Sequence, residues 1–288
     1  MTLDRIAGAI RPGGAAYYAA LAAHRLGLRV GLVTSCGPDF PEAALPDDLA
    51  VVKVDAARTT IFEHSRSPAG RVLRLVARAG DLDADDLPAP WRQAPLALLC
   101  PVAGEVDPLL AACFADGSLG VLPQGWMRER GPEGTIAPRL WEDATLVLPH
   151  TQLLVVSEED VAPFGGAALE WFQRVPVAAV TRGARGGTLF VNGEAYDVAP
   201  DPAVERDATG AGDVFAAVLL VEYHRWADPW EAAAAAACAA AASVEGLGAT
   251  TVPDQGALDA RLAAYRARLG GCRGLPGSTP RGYTDAGP

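Results

Sequence analysis

Asp207-Ala208-Thr209-Gly210-Ala211-Gly212-Asp213, followed at once by the apolar run Val214-Phe215-Ala216-Ala217-Val218-Leu219-Leu220, decides how this chain is read. Gly210, Ala211 and Gly212 carry almost no side chain. A turn built from them can aim consecutive backbone N–H groups outward at the start of a helix, where the macrodipole also favours an anion. That is a phosphate cradle. Asp213 stands beside it in the first helical turn, placed to take the proton of a hydroxyl that attacks a phosphoryl group held by those amides. The plainer reading is a glycine-rich loop entering a helix with Asp213 as its cap. A second acid, Asp207, with Thr209 between the two, tilts the balance toward phosphoryl transfer.

Outward from this stretch, strand and helix alternate. Short continuous apolar runs at 30–35, 96–100, 119–122, 153–156 and 177–181 read as strands buried on both faces. Helical stretches are expected at 15–26, 107–114 and 167–174, and after the signature at 213–224 and 229–243. This order predicts right-handed crossovers and a doubly wound, mainly parallel α/β sheet, whose ligands gather at the carboxyl ends of the strands. Residues 50–79 break the rhythm. Val51 to Val54, Thr59 to His64 and Arg71 to Val76 read as strands without helices, with Pro68-Ala69-Gly70 as a turn and one wet face. Thr188 to Val198 reads as a hairpin turning at Asn192-Gly193. Residues 1–270 are expected to form one domain, and the Gly-, Pro-, Ser- and Thr-rich stretch 271–288 a disordered tail.

Composition narrows the function classes. Half of the 288 residues are hydrophobic, enough for a large core, and the net charge of −11 argues against nucleic acid or an anionic membrane as partner. The five cysteines, Cys36, Cys100, Cys113, Cys238 and Cys272, show no C-x-x-C spacing, so neither a disulfide framework nor a zinc site is indicated. The longest apolar run, Ala232 to Ala242, is too short to span a bilayer, and Met1-Thr2-Leu3-Asp4-Arg5 is not a secretory leader. A cytoplasmic protein is expected.

The D-A-T-G-A-G-D stretch resembles the C-terminal signature of the PfkB, or ribokinase-like, carbohydrate kinases, usually written D-T-x-G-A-G-D. Further matches stand at fitting positions. Pro12-Gly13-Gly14-Ala15-Ala16 with Arg25-Leu26-Gly27 resembles the family's Gly-Gly motif and the helix behind it. Val180-Thr181-Arg182-Gly183-Ala184-Arg185-Gly186-Gly187 resembles its nucleotide strand and loop, and Cys238 to Ala249 the helix and loop that line its adenine pocket. The resemblance implies a ribokinase-like fold with a β lid over the sugar, here residues 50–79, and ATP and Mg2+ as cofactors. It implies Asp213 as general base, with Gly210, Ala211 and Gly212 as anion hole. Thr181, Gly183, Gly186, Thr209 and Gly248 would border the nucleotide, and Asp207 would support the loop or the metal shell. Asp4, Gly13 and Gly14 would bind substrate; the other reading of Asp4 is a surface acid near a chain end. A lid that doubles as dimer interface makes a homodimer the expectation.

Three departures matter. Relatives open with an apolar strand before the equivalent of Thr2-Leu3-Asp4, and here it is missing; an upstream start restoring a strand beside 30–35 is expected. Only eight residues separate Asp4 from Gly13, so the first lid hairpin is expected to be absent. The family's N-x-x-E motif appears as Ser157-Glu158-Glu159-Asp160, which keeps Asp160 and Glu159 as metal candidates, while the plain reading is a Ser-capped helix start.

Gln124-Gly125-Trp126-Met127-Arg128 follows a strand where a pocket is expected, and Gln124 and Arg128 are candidate substrate contacts; a loop anchored by a buried Trp accounts for it equally. Tyr17 and Tyr18 divide between pocket and core, His24 reads as helix surface, and Glu63-His64 as solvated hairpin residues. The expected activity is phosphoryl transfer from ATP to a hydroxyl of a small sugar or a cyclic polyol such as inositol. A nucleoside kinase is the alternative, with Phe62 as the one lid aromatic. A non-catalytic sugar-binding or regulatory homologue is the other.

Overall fold

The computed structural model of the protein describes residues 1–6, 8–67 and 70–270, so the turn at Pro68-Ala69 and the expected tail 271–288 lie outside the described residues. In chain order the elements are β1 (Thr2–Ile6), β2 (Ala9–Gly13), α1 (Ala15–Arg25), β3 (Gly31–Cys36), β4 (Ala50–Asp55), β5 (Thr60–Ser67), β6 (Gly70–Ala77), β7 (Leu96–Leu99) and β8 (Ser118–Val121). Then come β9 (Arg128–Arg130), β10 (Ile136–Pro138), α2 (Ala144–Val147), β11 (Leu153–Ser157), α3 (Glu158–Val161), α4 (Gly165–Gln173), β12 (Val177–Thr181), β13 (Gly187–Val191) and β14 (Glu194–Val198). The chain closes with α5 (Ala211–Trp226), α6 (Pro229–Ser243) and α7 (Gln255–Arg268). The expected helix at 107–114 is a 3-10 run, Pro108–Phe114, capped by the Asp107 carboxylate on the Leu109 N–H.

The main sheet runs β14-β13-β12-β11-β8-β7. Its four strands β7, β8, β11 and β12 are parallel, and β13 and β14 add an antiparallel edge through a turn at Asn192-Gly193, both residues at positive φ. Continuous apolar runs are what this sheet requires, because both faces are covered. Leu153, Val155, Val177 and Ala179 pack with α1, α5 and α6 on one side; Leu154, Val156, Ala178 and Val180 pack with Trp126, Trp171 and Phe172 on the other. Burying both faces of four such strands removes their apolar side chains from water at ~25 cal/mol per Å², the main term holding the layers together. The alanines of α6 let that helix lie close along α5, with Ala232, Ala233, Ala235, Ala236 and Ala239 fully buried.

A second sheet, β2-β1-β5-β6, forms the lid. This corrects the sequence reading twice. The first lid hairpin is present as β1 and β2, antiparallel from Thr2↔Gly13 to Ile6↔Ala9, with Gly8 at φ 82° before β2; a pair this short fits within the few residues between Asp4 and Gly13. Conversely, β4 is not a lid strand. It pairs in parallel with β3, from Gly31↔Ala50 to Cys36↔Asp55. Val51 to Val54 alternate between exposed and half-buried, a pattern that fits any sheet with one open face and leaves the partner undetermined. The β3–β4 pair stands apart from the six-stranded sheet, whose edge is β7. The Met1 ammonium is buried and donates to Thr34 Oγ1 of β3 at 2.8 Å. Among the described residues no helix is long and apolar enough to cross a membrane.

Candidate active site

The signature loop ends at Gly210, which caps α5 in a left-handed conformation (φ 82°, ψ −2°). A side chain there is excluded twice over: an L-residue is strained at that φ, and a Cβ would sit 2.3 Å from the ring of Tyr18 on α1. Tyr18 is 2% exposed and forms the floor under the loop. The next residues open α5; the Ala211 N–H donates to the Ala208 carbonyl at 3.3 Å, and the Gly212 and Asp213 amides that follow in this first turn have no carbonyl one turn earlier to bond and are left as donors. Asp213 lies in that first turn.

Asp213 is half-buried, with protein around its carboxyl. Its pKa is pushed up to about 7, chiefly by burial; Arg128 pulls it down, while Asp4 and Asp160 push it up. A carboxylate poised near neutrality is suited to accept a proton in a transition state. Asp4, Arg128 and Asp160, three candidates from separate parts of the chain, are therefore gathered around Asp213.

Asp207 serves the loop. Its Oδ1 accepts the Thr209 N–H at 3.1 Å, and its Oδ2 accepts the Gly248 N–H at 3.0 Å and Arg11 Nη1 at 3.1 Å. Burial opposes its ionisation, but the bonds from Gly248 and Thr209, with Arg11, outweigh it and hold the carboxyl below its ordinary range. Gly248 thus reaches the signature loop.

On the lid side, Asp4 is 5% exposed, a buried lid-strand residue rather than a surface acid. Its Oδ1 accepts the Thr2 hydroxyl at 3.0 Å, and Gly13 makes room for the carboxylate, since a Cβ at Gly13 would lie 2.1 Å from Asp4 Oδ2. His64 Nε2 stands 3.6 Å from Asp4 Oδ1. Arg128 donates to the Val102 carbonyl at 3.0 Å and lies over the Phe62 ring, 5.4 Å from its centroid. The Gln124 amide donates to Asp160 Oδ2 at 3.2 Å, which leaves its second N–H and its carbonyl oxygen for other partners. Trp126 anchors its loop, buried, with Nε1 bonded to the Val106 carbonyl.

Thr181 and Ser157 are register partners at the carboxyl ends of β12 and β11, so the nucleotide and metal candidates share one sheet edge. Gly183 and Gly186 turn the loop that follows Thr181, while Arg185 pairs with Glu158. Ser157 caps α3: the Asp160 N–H donates to Ser157 Oγ at 3.1 Å, and the Ser157 hydroxyl in turn donates to Asp160 Oδ2 at 2.6 Å. The plain reading of this segment is thus realised. Glu159 points outward and is exposed. Among the described residues no three His, Cys, Asp or Glu side chains are grouped to hold a metal ion. The donor set is one half-buried carboxylate, Asp160, which suits Mg2+ held largely by water and phosphate oxygens rather than by a protein cage.

Sequence reasoning passed over three residues of this site. Arg11 gave no signal, because its partner Asp207 is far away in the chain. Tyr18 was left undivided between pocket and core. His64 reads as solvated in the sequence; alternation puts it on the face of Phe62, and only the parallel pairing of β1 with β5, Asp4↔Phe62 and Ile6↔His64, brings that face to Asp4.

Residues 128–255 match the family described as pfkB family carbohydrate kinase. The chain is 31% identical over 232 residues to an inositol 3-kinase of Oryza sativa subsp. japonica, covering 74% of this chain and 57% of that protein. It is 29% identical over 261 residues to the bifunctional protein HldE of Shewanella piezotolerans (strain WP3 / JCM 13877), covering 84% of this chain and 54% of that one. It therefore spans little more than half the length of these two relatives. Among solved structures, a pyrophosphate-dependent myo-inositol-1 kinase converted into a myo-inositol-3 kinase superposes with a TM-score of 0.75 at 20% identity, over 93% of this chain and 95% of that one. Vibrio cholerae O395 fructokinase, bound to fructose, ADP and calcium, superposes with a TM-score of 0.71 at 21% identity, over 91% and 96%.

Proposed function

This chain belongs to the pfkB family of carbohydrate kinases, and on that premise we propose that it transfers a phosphoryl group from ATP to a hydroxyl of a small sugar or a cyclic polyol of the inositol type. The observation that carries the proposal is Asp213, with its pKa near 7, in the first turn of a helix whose glycine-rich start offers outward amides. The acceptor hydroxyl would lie between Asp213 and the lid, its neighbours held by Asp4 and His64. Asp4 accepts hydroxyl donors, and His64 supplies a donor or an acceptor according to its tautomer. Asp213 takes the hydroxyl proton as the oxygen attacks, while the Gly212 amide, left as a donor at the helix start, stabilises charge on the transferring group. Thr181, Gly183, Gly186 and Gly248 border the donor. Asp160 would hold Mg2+ through water; the ion, when bound, neutralises phosphate charge.

Two observations bear on the donor. Val204 and Leu247, 78% and 54% exposed, lie on segments brought side by side by the Arg206 and Asp207 N–H bonds to the Val244 carbonyl. They offer apolar surface to a base beside the anion loop, which favours ATP. The second reading, pyrophosphate as donor, rests on the pyrophosphate-dependent inositol kinase among the structural neighbours. A screen of ATP and pyrophosphate against sugars, inositols and nucleosides, with products identified by mass, tests both. Phosphorylated inositol or sugar with ATP is expected. Transfer only to nucleosides, or no transfer to any acceptor from either donor, refutes the reading.

A further inference from the structure

The β1–β2 hairpin carries one residue for each half of the site. Asp4 on β1 and Arg11 on β2 are direct cross-strand partners. Opposite residues of an antiparallel pair project from the same face with Cβ atoms about 4.5–5.5 Å apart, so neither moves far without the other. Asp4 belongs to the acceptor side, among Thr2, His64 and the space cleared by Gly13. Arg11 reaches across to Asp207 Oδ2, the oxygen that also accepts the Gly248 N–H, while Asp207 Oδ1 holds the Thr209 N–H. One guanidinium thus joins the lid to the two donor-side loops, 207–213 and 246–249. The Asp207 side chain is 10% exposed and that of Arg11 33%, so the pair is shielded enough to be felt yet open enough to shift.

We propose that Arg11 is a positioning residue that couples the two halves of the site: acceptor bound at Asp4 settles the hairpin, the hairpin settles Arg11 on Asp207, and Asp207 sets the loops that receive the donor phosphate. The inference rests on the kinase reading above. Coupling of this kind is reciprocal, so donor must tighten acceptor by the factor with which acceptor tightens donor. The cost of disorder is paid once, by whichever ligand arrives first. A donor entering without acceptor meets a loop less firmly held.

Calorimetric titration of AMP-PNP into the protein with and without saturating myo-inositol measures the factor. In the wild type it is expected to be about 5–10-fold, within the usual range for coupled sites. In Arg11→Gln it falls to below about 2-fold, myo-inositol affinity alone changes less than about 3-fold, and Asp207→Asn and the double variant show the same loss without adding to it. Arg11→Lys keeps the charge without the fork and is expected in between; it replaces the Gln variant if that one does not fold. A role in stability alone would lower the melting temperature and leave the factor intact. A wild-type factor kept in Arg11→Gln or Arg11→Lys overturns the proposal. Amide hydrogen exchange provides an arm free of ligands: Arg11→Gln should speed exchange at 208–213 and 246–249 while β11 and β12 stay protected. Unchanged exchange in those loops overturns the proposal as well. A wild type that binds neither AMP-PNP nor myo-inositol counts against the kinase reading, and the exchange arm then decides the role of Arg11.

Discussion

Asp213→Asn should do two opposite things: abolish most turnover and raise the stability of the ligand-free protein. The carboxyl ionises near pH 7 in the folded chain against an ordinary 3.8, because burial and the neighbouring Asp4 and Asp160 disfavour its charge more than Arg128 favours it. The sign follows from linkage. A raised acid pKa means that the folded state binds the proton more tightly than the unfolded chain, so stability is lost as pH climbs from about 4 to about 7, and the loss is complete above that. At about 1.36 kcal/mol per unit the shift corresponds to about 4 kcal/mol, and the partial exposure of Asp213 reduces this to about 2. At about 2–4 °C per kcal/mol for a domain of this size, the variant should melt about 4–8 °C higher than wild type at pH 8 and at the same temperature at pH 4. Differential scanning calorimetry from pH 4 to 8 measures it. In the same variant kcat should drop by ~10²–10⁴ with donor affinity little changed, because a general base acts in the transition state. A melting difference independent of pH, or near-wild-type turnover, would show that Asp213 is neither a costly buried charge nor the base.

Other outcomes follow from the same geometry. The wild-type kcat/KM for acceptor should rise with pH to a plateau with an apparent pKa near 7, and a flat profile from pH 5 to 8 would remove Asp213 from the proton transfer. Gly210→Ala forces a Cβ into the Tyr18 ring at positive φ, and should cost about 1–3 kcal/mol in urea unfolding and most of the activity. His64→Ala should raise the acceptor KM about tenfold with the donor KM unchanged, since it faces Asp4 and not the loop; an effect confined to donor would contradict its placement. Glu222, fully buried on α5 and paired with Arg225, has a pKa raised chiefly by burial, so the melting temperature of Glu222→Gln relative to wild type should improve as pH rises above the ordinary carboxylate range. Chelation by EDTA should stop turnover and added Mg2+ restore it.

Local chemistry already determined much of this protein. The buried strands β7, β8, β11 and β12 show as continuous apolar runs because both of their faces are covered, and a doubly covered strand has no polar position to spare. The anion loop shows because Gly210-Ala211-Gly212 and Asp213 are contiguous, so the cradle and its neighbouring acid need no long-range partner. Asn192-Gly193 marks its hairpin through the φ values that its turn demands. What these signals share is that cause and effect lie within a few residues. Only tertiary structure decided the rest. Whether Val51 to Val54 paired with the lid or with β3 depended on a register that alternation alone leaves open, and that went to β3. The bond from Gln124 to Asp160 joins residues 36 apart in the chain, and Asp4 and Arg11 acquired their meaning from the antiparallel pairing of β1 and β2 that set them face to face. Asp213 is an ordinary acid in the sequence. Its unusual affinity for a proton comes from burial and from Asp4 and Asp160, charges that the fold alone carries to its side.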